Sequence, residues 1–268
     1  MTLPGRHFAR ILVERRALLF QLVRRDFQQR FVGSAGGWMW GFIQPLVMLL
    51  SYAFIFQVCL KTKLPPTEVT QNYTLFLFAG FLPWLLFQET VTRSAASVVE
   101  NAGLVTKTVF PAEVLPVSVF LSSLANHLMA LLLMLGAIGI WEREFSPWVF
   151  MLPVYMALLG LLAVGFGWIV AALQVYLRDS AQVLTVVLTV WFWTTPILLD
   201  ESRFPARARF LVRCNPLAYL VRAYRDRLLS WRVPALPDLL ILTACSMAVF
   251  IMGGFLFRHL KRGFADVL

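Results

Sequence analysis

Residues 148–175 read WVFMLPVYMALLGLLAVGFGWIVAALQV, an unbroken run without a charged side chain. At 1.5 Å of rise per helical residue the run is about 42 Å long, more than the ~30 Å of hydrocarbon in a bilayer. Such a segment needs lipid as its solvent. Working outward, further apolar segments cover about 38–60, 73–91, 114–140, 181–199 and 236–257, each close to the length a span requires. Composition agrees: of 268 residues 59% are hydrophobic and 14% charged, and mean hydropathy is +0.74, more apolar surface than a globular fold hides. The reading is an all-α integral membrane protein with six transmembrane helices. Pro45, Pro83, Pro153 and Pro196 fall within or near the spans and are expected to kink or interrupt them, which membrane bundles tolerate where neighbours satisfy the freed carbonyls.

Ahead of the first span, residues 6 to about 30 place Phe8, Ile11, Leu12, Leu18, Leu19, Leu22 and Val23 on one helical face. Arg6, Arg10, Glu14, Arg24 and Arg25 lie opposite, while Arg15 and Asp26 intrude on the apolar side. This predicts a helix lying in the membrane interface. The turn Gly33-Ser34-Ala35-Gly36-Gly37 then bends the chain into the bilayer. Residues 1–36 are thus an amphipathic interface helix and turn, and 37–268 a single transmembrane domain with no internal repeat. Ile11-Leu12-Val13 is cut short by Glu14-Arg15-Arg16, so no cleavable signal peptide is expected. Cys59, Cys214 and Cys245 have no metal or redox spacing and are expected to be buried as small hydrophobes.

With both ends cytoplasmic, the inner side carries thirteen Lys and Arg and the outer side eleven. The near tie resolves on the cluster before the first span, which ordinarily dominates insertion. The arginine-rich stretch 200–236 is then external. Within it, Asn215-Pro216 reads as an N-cap and first helical residue. Leu217, Leu220, Val221, Tyr224 and Leu228 follow as an apolar stripe with Arg222, Arg225 and Asp226 on the other side. Together with a weaker helix near 205–213, this predicts one or two short helices at the outer mouth, dipping toward the membrane.

The net charge of +10 is spread around apolar segments instead of forming a basic stripe with interleaved aromatics, so membrane anchoring explains it and nucleic acid does not. A phosphate loop, GxxxxGK[ST], is absent: the lysines are Lys61, Lys63, Lys107 and Lys261, and none follows glycine. ATP hydrolysis therefore falls to a separate subunit, which would bind the ATP and magnesium. Ion coupling has little to work with, since the spans hold His127, expected to be a hydrogen-bonded packing residue, and Glu89 near a segment end. A membrane-embedded glycosyl- or prenyl-transferase would want a paired acidic metal site. Glu142 with Glu144 and Asp200 with Glu201 read more simply as solvated loop charge. No catalytic or metal residue is assigned.

The order of several short motifs carries a resemblance. They are Arg24-Arg25-Asp26-Phe27 with Arg30-Phe31-Val32-Gly33-Ser34 and Gly37-Trp38, Gly80-Phe81-Leu82-Pro83-Trp84, and Lys107-Thr108-Val109-Phe110-Pro111-Ala112-Glu113-Val114-Leu115-Pro116. Leu177-Arg178-Asp179, Phe192-Trp193-Thr194-Thr195-Pro196-Ile197 and Asn215-Pro216-Leu217 complete the series. Through nearly its whole length the chain resembles the permease subunit of type-2 ATP-binding-cassette exporters for lipid-linked polysaccharides, the O-antigen, teichoic-acid and capsule transporters. The resemblance implies a homodimer in the bacterial inner membrane, bound to two copies of an ATPase, passing a lipid-linked glycan between its halves. A type-2 permease for a drug or small lipid is the rival within this fold.

The resemblance also implies an ATPase-coupling helix between spans two and three. Glu100, Asn101, Leu104, Lys107 and Phe110 supply a small mixed patch suited to a partner's groove. Arg24, Arg25 and Arg30 are candidates for the anionic lipid head, by charge-assisted hydrogen bonds. Tyr52, Phe56, Phe76, Trp84, Phe87, Trp191 and Trp193 are candidate sliding platforms for sugar C–H faces along the channel. Short re-entrant helices in the external loop make Pro196, Arg222 and Arg225 candidates for a gate, the arginines pairing with Asp226, meeting head groups or guiding an acidic polymer.

Overall fold

The computed structural model describes residues 15–31, 36–64, 70–107, 110–143, 145–199, 201, 204–207 and 209–268. Every regular element among them is helical: α1 (Arg16–Phe31), α2 (Trp40–Cys59, its last turn a π-helix over Phe54–Cys59), α3 (Tyr73–Glu100), α4 (Ala102–Lys107) and α5 (Val114–Trp141) come first. After a 3₁₀ turn at Pro147–Met151 follow α6 (Leu152–Tyr176), α7 (Ser180–Thr194), α8 (Arg209–Arg213), α9 (Pro216–Leu229), α10 (Leu236–Leu260) and α11 (Phe264–Val267). Residues 6–14 of the expected interface helix and positions 33–35 of the glycine turn lie outside the described residues. So do the side chains of Arg30 and Lys107.

Among the described residues five helices are long and apolar enough to cross a membrane: Trp40–Cys59, Tyr73–Glu100, Val114–Trp141, Pro147–Tyr176 and Leu236–Gly263. The expected fifth segment, 181–199, is shorter than read. Its helix α7 stops at Thr194, about 22 Å long, because Pro196 cannot donate the next backbone bond. Thr194 and Thr195 hydroxyls turn back to the Trp191 carbonyl at 2.9 and 2.7 Å and close the helix end. Pro45 and Pro83 sit inside continuous helices and Pro153 in a first turn, so of the four prolines only Pro196 interrupts.

Helix α3 is the centre. The Asn72 side chain caps it by accepting from the Thr74 and Leu75 amides, and from Tyr73 to Val98 most of its surface is enclosed by α5, α6, α7 and α9. It also runs well past the expected end at residue 91, because Arg93 is neutralised by Asp26 of α1 at 2.5 Å. Glu89 consequently lies inside the helix. On the far side α6 and α10 touch backbone to backbone: a Cβ on Gly253 would collide with the Gly165 carbonyl, and one on Gly165 would come 2.8 Å from the Val249 carbonyl. Small residues permit such an approach, and in lipid close packing is a main source of helix association. By contrast α2 buries only Gly41 and Leu49, and α7 only Leu184 and Leu188. Cys59 and Cys214 are exposed on the chain surface and Cys245 is half-buried, which corrects the expectation that the thiols are core residues.

Candidate functional site

The bundle has a lower end, where α1, α4 and α11 gather, and an upper end, where α8 and α9 follow the break at Pro196. At the upper end Asn215 caps α9 as its sequence announces, accepting from the Leu217 amide at 3.0 Å. The Asn215 side chain also accepts the Trp191 indole N–H at 2.9 Å and donates to the Thr195 hydroxyl at 2.8 Å, tying the end of α7 to the start of α9. Helix α9 is too short to span and is buried against α3, α6 and α10. Its stripe Leu217, Leu220, Val221, Tyr224 and Leu228 faces inward.

Arg225 departs from the sequence reading. It is 5% exposed, not on an outer face, because it has inward partners. Its Nε donates to the Phe76 carbonyl at 3.1 Å, Nη1 to Pro196 at 2.8 Å and Nη2 to Ile197 at 2.6 Å, with the guanidinium 3.5 Å over the Phe76 ring. Gly80 leaves the room, since a Cβ there would lie 2.7 Å from Nη2. Both carbonyls beyond the α7 break are thereby satisfied by one side chain, as buried backbone acceptors require. Neither arginine pairs with Asp226. Arg222 stands 3.6 Å from Glu201 and 3.7 Å from Asp238, and Asp226 faces Arg227 at 3.9 Å. Below this closure His127 of α5 shares a 3.1 Å hydrogen bond with Tyr224 of α9, both buried, which is the packing role read for that histidine.

The lower end gathers two sets that the sequence keeps apart. Arg25 Nη2 donates to Asn101 Oδ1 at 2.7 Å, so a head-group candidate touches the candidate coupling segment directly. Asn101 also donates to the Ser97 carbonyl at 2.8 Å and closes α3, after which α4 forms a single exposed turn. Glu100 and Leu104 are exposed and Phe110 is packed against the core. Arg24 is exposed.

Sequence reasoning missed the C-terminal brace of this end. Lys261 Nζ lies 2.8 Å from Glu113 Oε2, whose side chain is nearly enclosed, α11 lies against α4, and its buried Phe264 packs on Phe257 and Tyr176. The only sequence signal was a lysine at the end of an apolar span. Removing one partner strands the other, so Lys261→Met should destabilise the protein by about 1–3 kcal/mol. The double variant with Glu113→Gln should recover part of that loss; a thermal-unfolding cycle of the four proteins measures it, and additive single effects would deny the pairing.

The aromatic candidates divide. Phe76, Trp84 and Phe87 are enclosed within the chain, against Tyr73, Phe192 and Trp191 respectively at ring separations of 6.1, 5.4 and 5.2 Å. Tyr52 stacks on Phe81 at 4.9 Å, Phe56 leans on Tyr73 at 5.1 Å, and both keep an open side, as does Trp191. Trp193 is 66% exposed.

Comparison with known proteins places this geometry. Residues 17–229 match the family described as ABC-2 type transporter. The chain is 30% identical over 260 residues to the O-antigen export system permease protein RfbA of Myxococcus xanthus, covering 96% of this chain and 97% of that one. A Klebsiella pneumoniae protein of the same description is 27% identical over 94% of this chain and 95% of its own length. The polysialic acid transport protein KpsM of Escherichia coli is 23% identical over 88% and 91%. The match runs from α1 through the short buried helix α9, and the chain belongs to the ABC-2 type transporter family.

Proposed function

We propose that the chain is the permease subunit of an ATP-driven exporter that moves a lipid-linked polysaccharide of O-antigen, teichoic-acid or capsule type across the bacterial inner membrane. The observation that carries this is similarity over 96% of its length to an O-antigen export permease, re-entrant segment included. It acts as a transport subunit and not as an enzyme. Two copies assemble with two copies of an ATPase that binds ATP and magnesium, and both termini are cytoplasmic, with α1 in the interface plane. The short α7 completes six crossings together with the Thr195–Ile197 turn and the re-entrant α9 beyond it.

In this arrangement the lower end is cytoplasmic and α4 is the coupling helix. Glu100, Asn101, Leu104, Lys107 and Phe110 meet the ATPase, and the Arg25–Asn101 bond joins that contact to the interface helix. Arg24, Arg25 and Arg30 attract the anionic lipid head. The channel aromatics are those with an open face, Tyr52, Phe56, Trp191 and Trp193, with Phe76, Trp84 and Phe87 behind them as packing. Pro196 and Arg225 hold the external gate, with Arg222 at its rim.

The double variant Leu104→Asp with Lys107→Glu should abolish glycan export and co-purification of the ATPase while membrane insertion is retained. Normal export by it would move the coupling contact elsewhere. Deletion of the chain should leave surface polysaccharide absent by chemical analysis, and unchanged polysaccharide would favour a permease for a drug or small lipid.

A further inference from the structure

Between α6 and α7 a groove of about 550 Å³ runs up from the corner that joins them at the lower end. Phe166, Val170 and Leu173 form its α6 wall, Val183 and Val187 its α7 wall, and Val91 of α3 its back. On α7 it extends from Ser180 to Trp191, about 16 Å of helix and half the hydrocarbon thickness. Trp191 roofs it and spends its indole N–H on Asn215, so the roof offers the groove no donor. Left empty, such walls forfeit their dispersion contacts. A helix about 10 Å across and of this length would need about 1,200 Å³, so a helix of a second copy does not fit. At roughly 30 Å³ per small group the groove holds about eighteen, the size of one extended hydrocarbon chain.

The mouth says which kind of chain. Among the described residues lining the groove only Arg178 and Asp179 are charged, one of each sign and side by side. Gln174 fixes the corner that carries them: its Nε2 donates to the Arg178 carbonyl at 2.9 Å and its Oε1 accepts from the Ala181 amide at 2.8 Å. Both residues are exposed, and neither side chain has a hydrogen bond or ion pair among the described residues. Asp179 stands at the N-cap of α7 yet makes no cap bond, so its carboxylate is not spent on the helix. The cations at the end of α10, Arg258 and Arg262, lie outside the lining. A purely anionic head over this mouth would meet Asp179, and a purely cationic one Arg178. A head that carries both charges satisfies the two together. In phosphoethanolamine two methylenes part phosphate from ammonium, a span comparable to the about 3.8 Å between consecutive Cα atoms.

We propose that this groove is a site for phosphatidylethanolamine of the surrounding bilayer, with one acyl chain between α6 and α7, the phosphate on Arg178 and the ammonium on Asp179. The lipid fills the space left beside α7, which buries only Leu184 and Leu188 of its own, and so props that helix against α6. Leu177-Arg178-Asp179 thereby gains a role that neither the coupling contact nor the gate gives it. The inference goes beyond the exporter reading and needs only the membrane-spanning fold, because the ligand is the host lipid and not the cargo.

The test uses the full-length protein in nanodiscs of equal phosphatidylethanolamine and phosphatidylglycerol. Trace phosphatidylethanolamine or phosphatidylglycerol, each with the same diazirine-bearing acyl chain, serves as the probe. The phosphatidylethanolamine probe should label at least about fivefold more than the other, with crosslinks on the α6 and α7 walls. Asp179→Asn, which leaves the arginine alone, should turn the preference toward phosphatidylglycerol. The swapped pair Arg178→Asp with Asp179→Arg should keep the original preference, since a zwitterion can turn around. Leu173→Trp fills the groove without touching a charge and should lower labelling at least about tenfold while thermal stability is kept. Undiminished labelling of Leu173→Trp, or no crosslinks on these walls in the parent, overturns the site and leaves the groove to be covered by a second copy of the chain. Equal labelling by the two probes overturns the zwitterionic head. None of these results bears on the exporter reading, which stands or falls on surface polysaccharide in the deletion strain.

Discussion

Arg225→Met will destabilise this protein more than loss of any exposed arginine, by about 3–5 kcal/mol. Methionine fills a similar volume in the same apolar surroundings, so the effect isolates the guanidinium. Without it the Pro196 and Ile197 carbonyls lose their donor inside the bundle, and the Phe76 carbonyl and ring lose the same partner. An Arg225→Lys variant should fall between, because an ammonium cannot fork to acceptors on two elements while lying flat on a ring. Thermal unfolding of the detergent-purified proteins, followed by tryptophan fluorescence, reads the order directly. A methionine variant as stable as the parent would mean that the break after α7 is held by the Asn215 network alone. Glycan export should fail in the same variant even where some folded protein accumulates, since the re-entrant helix then lacks its upper anchor.

Gly253→Val is the second large expected effect. Its side chain meets backbone, which cannot swing aside as a rotamer can. Gly253→Ala already demands that α6 and α10 separate, a loss of about 1–3 kcal/mol or more, and valine adds further bulk and should prevent accumulation in the membrane. Quantitative immunoblotting of membranes gives the ranking of glycine, alanine and valine. Equal levels of all three would show that the two helices can part without consequence.

Much of this fold is written in the apolar runs, because spans are fixed by hydrocarbon thickness and need no partner to be recognised. Asn215-Pro216 announced its helix for the same reason: an N-cap and a proline at the first turn are local chemistry. What escaped depends on residues distant in the chain. Arg225 reads as an outer-face charge until its acceptors are known, and they lie 28, 29 and 149 positions away. The second span read short because Arg93 looks like a terminus; Asp26, 67 positions earlier, removes that penalty. The candidate coupling segment and the candidate head-group arginines are separate in the sequence, and only folding puts Arg25 on Asn101. Among the aromatics a ring's identity was plain, but which side it turns to its own bundle was not, and so Phe76, Trp84 and Phe87 were grouped with rings that keep a free face.

Helix α10 is fastened at two heights, by the backbone contact of Gly253 with Gly165 and by Lys261 on Glu113. The upper fixing joins α10 to α6 and the lower one joins its end to the N-cap of α5, so the rod is held to two different helices. The lower tips of α5 and α10 therefore cannot part without also working against the seat of Gly253 on Gly165.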